Sequence, residues 1–275
     1  MSDRKPKQRA VRVKKTKGAK PSGGRSLSRD TRPTTTPERS DGEGELLTLC
    51  IDVGGTGIKM LVLDGQGRPV NERARVLTPK PATPKAVLKV IESMLEAQPR
   101  FDRVAVGFPG IVVDGIVHSA VNLGDKFWKG EDFEAMLERL TGVPVRVIND
   151  ADLQGYGVID GSGVELVLTL GTGLGSALFV NGHLVPNLEL GHHPFTNGKT
   201  YEQRVGDRAL KRVGKKEWSR RVLQALDQLD PIFNYDVLHL GGGNVAHLRA
   251  RLPENVRLFT NVDGMTGGSK LWLDR

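Results

Sequence analysis

Two short glycine-rich stretches constrain this chain more than any other feature: DVGGTGIK at residues 52–59 and TLGTGLGS at residues 169–176. Each follows an apolar run that reads as a β-strand, LLTLCI before the first and ELVLTL before the second. Each leads into another such run, IKMLVLD and ALFV. Both stretches therefore read as hairpins turning on glycine and threonine. Glycine lets a ligand approach the backbone closely, and successive N–H groups in such a turn converge on an anion. Two of these turns in one chain imply a cleft that grips a phosphate chain from both sides.

The surrounding periodicity repeats one plan twice. In the first half, strands at 46–52, 58–64 and about 70–77 precede a helix in TPKAVLKVIESMLEAQ. Thr83 is its N-cap, Pro84 takes the first helical position, and Val87, Leu88, Ile91, Met94 and Leu95 share one face. DRVAVGF reads as a strand, IVVDGIVHS as a hairpin turning on Asp114-Gly115, EDFEAMLERL as a helix, and PVRVI as a strand ending at Asn149 and Asp150. In the second half, strands at 165–170 and 176–180 and a third after Asn181-Gly182 lead to a loop that becomes helical over 187–206. KKEWSRRVLQALDQLDPIF then reads as an amphipathic helix with Trp218, Val222, Ala225, Leu226 and Leu229 inward. DVLHL runs into GGGN, followed by a helix, the short strand VRLF and a last helix, MTGGSKLWL. This is a duplicated α/β plan with mixed sheets, in which ligands sit beyond the strand C-termini.

Charge divides the chain. The net charge is +8, yet residues 1–45 hold 13 Lys and Arg against 6 Asp and Glu, while the remainder holds 27 against 26. The tail, rich in Lys, Arg, Pro, Ser and Gly, reads as a disordered, solvated extension. Its alternative is an arm for a polyanion: nucleic acid, acidic membrane or inorganic polyphosphate. The lone cysteine, Cys50, falls in a predicted buried strand, and one cysteine permits no internal disulfide, which fits a cytoplasmic protein. No apolar run is long enough for a membrane span, and the basic N-terminus lacks the apolar stretch of a secretory signal.

The motifs DVGGTGIK, GFPG, NDAD, LGTGLGS, LELGH and LGGG occur in that order. Together they resemble the ROK family of sugar kinases and sugar-responsive repressors, within the actin/hexokinase superfamily. NDAD with LGTGLGSALF, NGHLVPN and ELGHH is similar to the polyphosphate glucokinase branch of that family. The resemblance implies an α/β fold of two ribonuclease H-like domains around a central cleft. It divides the chain into the tail 1–45, a first domain 46–149 joined by a C-terminal helix at about 265–275, and a second domain 150–264. Phosphoryl transfer to a sugar hydroxyl follows, with Asp150 as base; its other reading is a helix N-cap. Asn122, Asn149, Glu189, His192 and Glu202 match sugar-binding positions, and His193 reads as a surface or supporting residue. Asp52 matches the aspartate that holds Mg2+ through water. Gly54, Gly55, Thr56, Gly171, Thr172 and Gly173 match the donor cradle, and Gly241, Gly242 and Gly243 match the adenosine side. Lys59 adds charge to the donor or is a solvated strand lysine. The segment GHHPFTNGKTYEQRVG lacks the cysteines of the zinc site that many ROK proteins carry, so no zinc is expected.

The resemblance to the branch favours polyphosphate as donor, with ATP as the alternative. A basic run, Lys199, Arg204, Arg208, Lys211, Arg212, Lys215 and Lys216, reads either as a track for that polyanion or as a solvated helix face. Glucose is the expected acceptor, with mannose or an amino sugar left open, and a homodimer is the family expectation. Two other classes share parts of this pattern. A sugar-responsive regulator would carry a DNA-reading helix pair, which the proline- and glycine-rich tail opposes; a polyanion-binding protein would act through the tail alone. Neither specific nucleic acid nor membrane is expected as a partner.

Overall fold

The computed structural model describes residues 45–273. The basic tail lies outside them up to residue 44, so the readings made of it concern undescribed residues. Strands β1 (Thr48–Val53) and β2 (Ile58–Leu63) form the first hairpin, and β3 (Ala74–Val76) pairs outside β2. Helix α1 (Pro84–Leu95) begins at Thr83, whose side chain accepts the Ala86 N–H. Strand β4 (Arg103–Phe108) runs parallel to β1, and a small hairpin follows, β5 (Val112–Val113) and β6 (Ile116–Val117). Helices α2 (Asp125–Trp128) and α3 (Phe133–Thr141) then lead to β7 (Val145–Asn149), parallel to β4. The resulting sheet has the order β3-β2-β1-β4-β7.

Helix α4 (Asp150–Val158) enters the second half, where the plan recurs: β8 (Val164–Leu170), β9 (Leu174–Val180) and β10 (His183–Val185) are antiparallel neighbours. A hairpin of β11 (Pro194–Thr196) and β12 (Lys199–Thr200) leads into α5 (Tyr201–Val205) and the long α6 (Asp207–Phe233). Strands β13 (Val237–Gly241) and β14 (Val256–Leu258) complete a sheet of order β10-β9-β8-β13-β14, and α7 (Asn261–Met265) and α8 (Gly267–Lys270) follow. Each sheet thus pairs an antiparallel hairpin with parallel strands in the same spatial sequence. Among the described residues no helix is long and apolar enough to cross a membrane.

The two-residue side-chain period of a strand gives each sheet two apolar faces. Leu49, Ile51 and Val53 of β1 and Val104, Val106 and Phe108 of β4 pack on Val87 and Ile91 of α1 and Phe133 and Leu137 of α3. Leu166, Leu168 and Leu240 pack on Trp218, Val222, Ala225, Leu226 and Leu229 of α6. The opposite faces share a third core: Cys50, Leu61 and Ala105 from the first sheet, Val167, Ala177 and Phe179 from the second, with Leu153 and Tyr156 of α4 and Met265 of α7. Contact here is close because α4 and the last helices are glycine-rich. A Cβ on Gly157 would lie 2.3 Å from the Asp263 carbonyl oxygen, and one on Gly267 would lie 2.1 Å from that of Leu153.

Several elements differ from the sequence reading. The third strand spans only Ala74–Val76. The region read as loop then helix contains the β11–β12 hairpin, which turns on Asn197 and Gly198 at positive φ. Helix α6 starts before Lys215 and breaks at Gly214, where φ is 77°. The helix expected after GGGN is a single three-residue 3-10 turn, Val245–His247, because Asn244 is drawn back by hydrogen bonds to the Leu170 and Gly171 carbonyls. The terminal helix is split in two at Thr266, ahead of the close-packed Gly267.

Gly267→Ala is expected to destabilise the protein by about 1–3 kcal/mol through overpacking, despite alanine's better helix propensity. A thermal melt unchanged or raised by this substitution would show that α8 can shift away from α4 without cost.

Candidate active site

Strand β7 ends at Asn149, and α4 begins at once. The Asn149 Oδ1 accepts the N–H groups of Ala151 (2.8 Å) and Asp152 (3.2 Å), so Asn149 is the N-cap. This corrects the capping alternative for Asp150, which is the first helical residue. Gly107 of β4 makes room for it: a Cβ there would lie 3.2 Å from the Asp150 Cα. Gly107 is also paired with Asp52 across β1 and β4, so the helix start sits beside the Asp52 strand position. Asp150 lines the cleft in a half-buried position. Burial, then the neighbouring charges of Asp52 and Glu189, push its pKa up to about 8.

The cleft has a volume of about 430 Å³, within the usual range for small-molecule sites. The residues matched from sequence to catalysis, the sugar, the donor cradle and the metal all line it, except Gly241. Gly241 is buried, and a Cβ there would overlap the Phe259 ring at 2.2 Å, so its glycine serves packing. Gly242, at φ 92°, and Gly243 do line the cleft.

The two glycine turns have parallel hydrogen bonding. In the first, Gly54 N–H donates to Gly57 O (3.0 Å), and Thr78 Oγ1 donates to Gly54 O. In the second, Gly171 N–H donates to Gly173 O (3.1 Å), and Asn244 Nδ2 donates to Gly171 O (2.9 Å). Among the described residues, the N–H groups of Gly55, Thr56, Thr172 and Gly173 find no protein acceptor. Donors left free in a tight turn are what an anion requires. Gly55 abuts Asn122, and Gly173 lies against the Glu202 carboxylate, where a Cβ would sit 2.0 Å from Oε2.

Lys59 is directly opposite Asp52 on the paired strand, and its Nζ lies 2.6 Å from Oδ2. Lys59 is thus paired rather than free in solvent. The Asp52 carboxylate lines the cleft and offers a hard oxygen donor. Mg2+ commonly binds through one or two carboxylates, waters and substrate phosphates, so a single carboxylate facing the donor fits that ion.

On the other side, Glu189 joins Asn149 and His192. Its Oε1 accepts a long hydrogen bond from Asn149 Nδ2 (3.4 Å), and its Oε2 lies 3.6 Å from His192 Nε2. Burial raises the Glu189 carboxyl pKa, His192 opposes the rise, and Glu202 adds to it. Asn149 Nδ2 also donates to Gly110 O (3.1 Å), so its amide is largely engaged within the protein. Glu202 is held at the start of α5 by a reciprocal cap between Thr200 and Gln203. His193 is exposed and bonded to Pro194 O, away from the cleft lining. Asp152, behind Asp150, is buried; its Oδ2 accepts the Asn187 N–H, and its pKa is pushed up to about 7, chiefly by burial.

None of the seven cations in the basic run from Lys199 to Lys216 lines the cleft. Lys211 instead pairs with Asp207 at 2.6 Å. The sequence reading passed over Arg73, Arg75, Ser119, Gln154, Thr169 and Ser176, which do line it. For the arginines a signal existed: ERARV places them two residues apart in the stretch 70–77 read as a strand, although only Arg75 falls within β3.

The ROK family model matches residues 48–204. The polyphosphate glucokinase of Mycobacterium tuberculosis is 34% identical over 256 residues, covering 86% of this chain and 96% of its own. That of Mycobacterium leprae is 32% identical over 257 residues, covering 87% of this chain and 76% of its own. The crystal structure of the inorganic polyphosphate/ATP-glucomannokinase from Arthrobacter sp. strain KM superposes with a TM-score of 0.73 at 35% identity, covering 82% of this chain and 98% of its own. A ROK family glucokinase from Streptomyces griseus, in complex with glucose and AMPPNP, shares the fold, with a TM-score of 0.72 at 21% identity, covering 82% and 98%.

The raised carboxyl of Asp150 gives a stability signature. A carboxyl whose folded pKa exceeds its unfolded one makes stability fall as pH rises between the two values, here from about 4 to about 8. Asp150→Asn removes that loss. In urea melts without sugar or donor, the variant is expected to be more stable than wild type at pH 8 by about 1 kcal/mol or more, with the gap closing toward pH 4. A gap that is equal at both ends would contradict the burial of a charge at this position.

Proposed function

Because the chain belongs to the ROK family, with its actin/hexokinase-type fold, we propose that it transfers the terminal phosphoryl group of inorganic polyphosphate to the 6-hydroxyl of glucose. The observation that carries the reading is the juxtaposition in one cleft of Asp150, two turns with free N–H groups, and the Glu189–His192–Asn149 cluster. Identity of 34% to a polyphosphate glucokinase over most of both chains supports the donor and the acceptor.

In this reading Glu189, His192, Glu202, Asn122 and the remaining capacity of Asn149 hold the sugar hydroxyls. Asp150 accepts the proton of the 6-hydroxyl as its oxygen bonds to the terminal phosphorus. The bond from that phosphorus to the bridging oxygen breaks, leaving glucose 6-phosphate and a polyphosphate one unit shorter. Gly55, Thr56, Thr172 and Gly173 donate N–H groups to the phosphate oxygens, which suits a reaction catalysed mainly by positioning and charge stabilisation. Mg2+ held by Asp52 through water would supply charge neutralisation at the donor. Lys59 balances Asp52 on the protein side. Residues 46–149 with the C-terminal helix at about 265–275, and residues 150–264, act as the two domains of a cytoplasmic homodimer.

ATP is the second donor to test, since the Arthrobacter relative is described as using either. Gly243 also leaves room: a Cβ there would meet nothing within 4 Å.

The direct test is glucose 6-phosphate formation with Mg2+ and either nucleotide-free polyphosphate or ATP as sole donor. Turnover with ATP alone would reject the polyphosphate reading. Asp150→Asn is expected to lower kcat by about 10²–10⁴-fold, as loss of a general base does, with little change in glucose binding. His192→Ala is expected to raise KM for glucose about tenfold, the loss of one hydrogen bond to the sugar; an unchanged KM would remove His192 from the sugar clamp.

A further inference from the structure

We propose that Arg73, just before β3, and Arg75, within it, extend the donor site, holding the phosphoryl groups of polyphosphate beyond the one being transferred. The inference rests on the donor reading above and deepens it. Its basis is a row of side chains across three strands. Asp52 of β1 pairs with Lys59 of β2, and Lys59 pairs with Arg75 of β3. Residues directly opposite on paired strands share a face. Arg73 lies just before the start of β3 and lines the same cleft. The row therefore runs outward from the Asp52 carboxylate, past the first glycine turn, to the Arg75 guanidinium, and Arg73 adds a second guanidinium to that cleft wall.

Three further observations give the pair a ligand-facing character. Both arginines are exposed and both line the cleft. Among the described residues neither has an acidic partner, whereas Lys59, Arg68 and Lys211 are each paired at 2.6 Å. The Arg75 guanidinium also lies against the first glycine turn: a Cβ on Gly57 would fall 2.8 Å from Nε, 3.2 Å from Nη2 and 3.3 Å from Cζ. Glycine at 57 thus keeps the surface open for that planar group. A guanidinium fork matches phosphate oxygens in two directions at once.

The chemistry selects among donors. A nucleotide offers a short phosphate chain followed by a neutral sugar and a base. Polyphosphate stays anionic along its whole length, so cations placed beyond the transferring group reward it repeatedly. The gain falls with salt, because each phosphate contact releases counterions.

The test compares the full chain with Arg73→Ala/Arg75→Ala, measuring kcat/KM for long-chain polyphosphate and for ATP at saturating glucose. The expected result is a loss of about tenfold or more with polyphosphate and about twofold or less with ATP. The dependence of log kcat/KM for polyphosphate on log salt should also flatten, and Arg73→Lys/Arg75→Lys should restore most of its slope. Unchanged KM for glucose and an unchanged melt confirm that the variant is intact. Equal losses with both donors, or no loss with either, would overturn the assignment while wild-type turnover with polyphosphate kept the donor reading standing. Absence of wild-type turnover with polyphosphate would instead overturn the donor reading, and this inference with it.

Discussion

The backbone-to-backbone contact of α4 with the C-terminal helices holds the molecule together around its site. Gly157 and Gly267 let two helices meet at distances that any side chain would block. That contact fills the layer between the two sheets, against Cys50 and Ala105 on one side and Ala177 and Phe179 on the other. Small residues on both sheet faces are the counterpart of the small residues on the helices. The two halves repeat the same strand order, and this shared layer turns the repeat into a cleft open where the glycine turns meet.

The electrostatics of the cleft follow from that geometry. Asp52, Asp150, Glu189 and Glu202 crowd one space, and burial, with the mutual repulsion added, raises Asp150 and Glu189 above ordinary carboxylates. Lys59 offsets the Asp52 charge from close range, and the His192 Nε2 lies 3.6 Å from the Glu189 Oε2. The arrangement favours groups that bring protons, hydroxyl donors or cations into the cleft, all of which polyols and phosphate-bound metals supply. A carboxyl with a pKa near neutrality is also suited to accept a proton in the reaction.

Much of this was legible in the sequence because the signals were local. Thr83-Pro84 announced α1, Asp114-Gly115 turned its hairpin, and the inward face of α6 followed from helical spacing. The glycine turns gave away the cleft. What stayed hidden depended on distant partners. Asn149 takes the cap through its Oδ1 while its Nδ2 engages Gly110 and Glu189, far away in sequence. The 3-10 turn after GGGN depends on Asn244 reaching back to β8 and the second glycine turn. The basic run between Lys199 and Lys216 has a strong local charge signal, yet its surface is not the cleft surface. Arg73 and Arg75 carry a weaker local signal and reach the cleft because β3 pairs beside Lys59.

Helix α4 opens with Asp150 and, two turns later, carries Gly157 into close contact with the last helices in the central layer. One short helix is therefore both the mount of the reacting carboxyl and the keystone of the fold. Adaptation here is coupled: a change that rigidifies the keystone also resets the aim of the carboxyl, so thermostability and turnover cannot be tuned apart through this helix. Variation that alters one property alone has to fall on elements that touch only one of these duties, such as α1 or the outer face of α6.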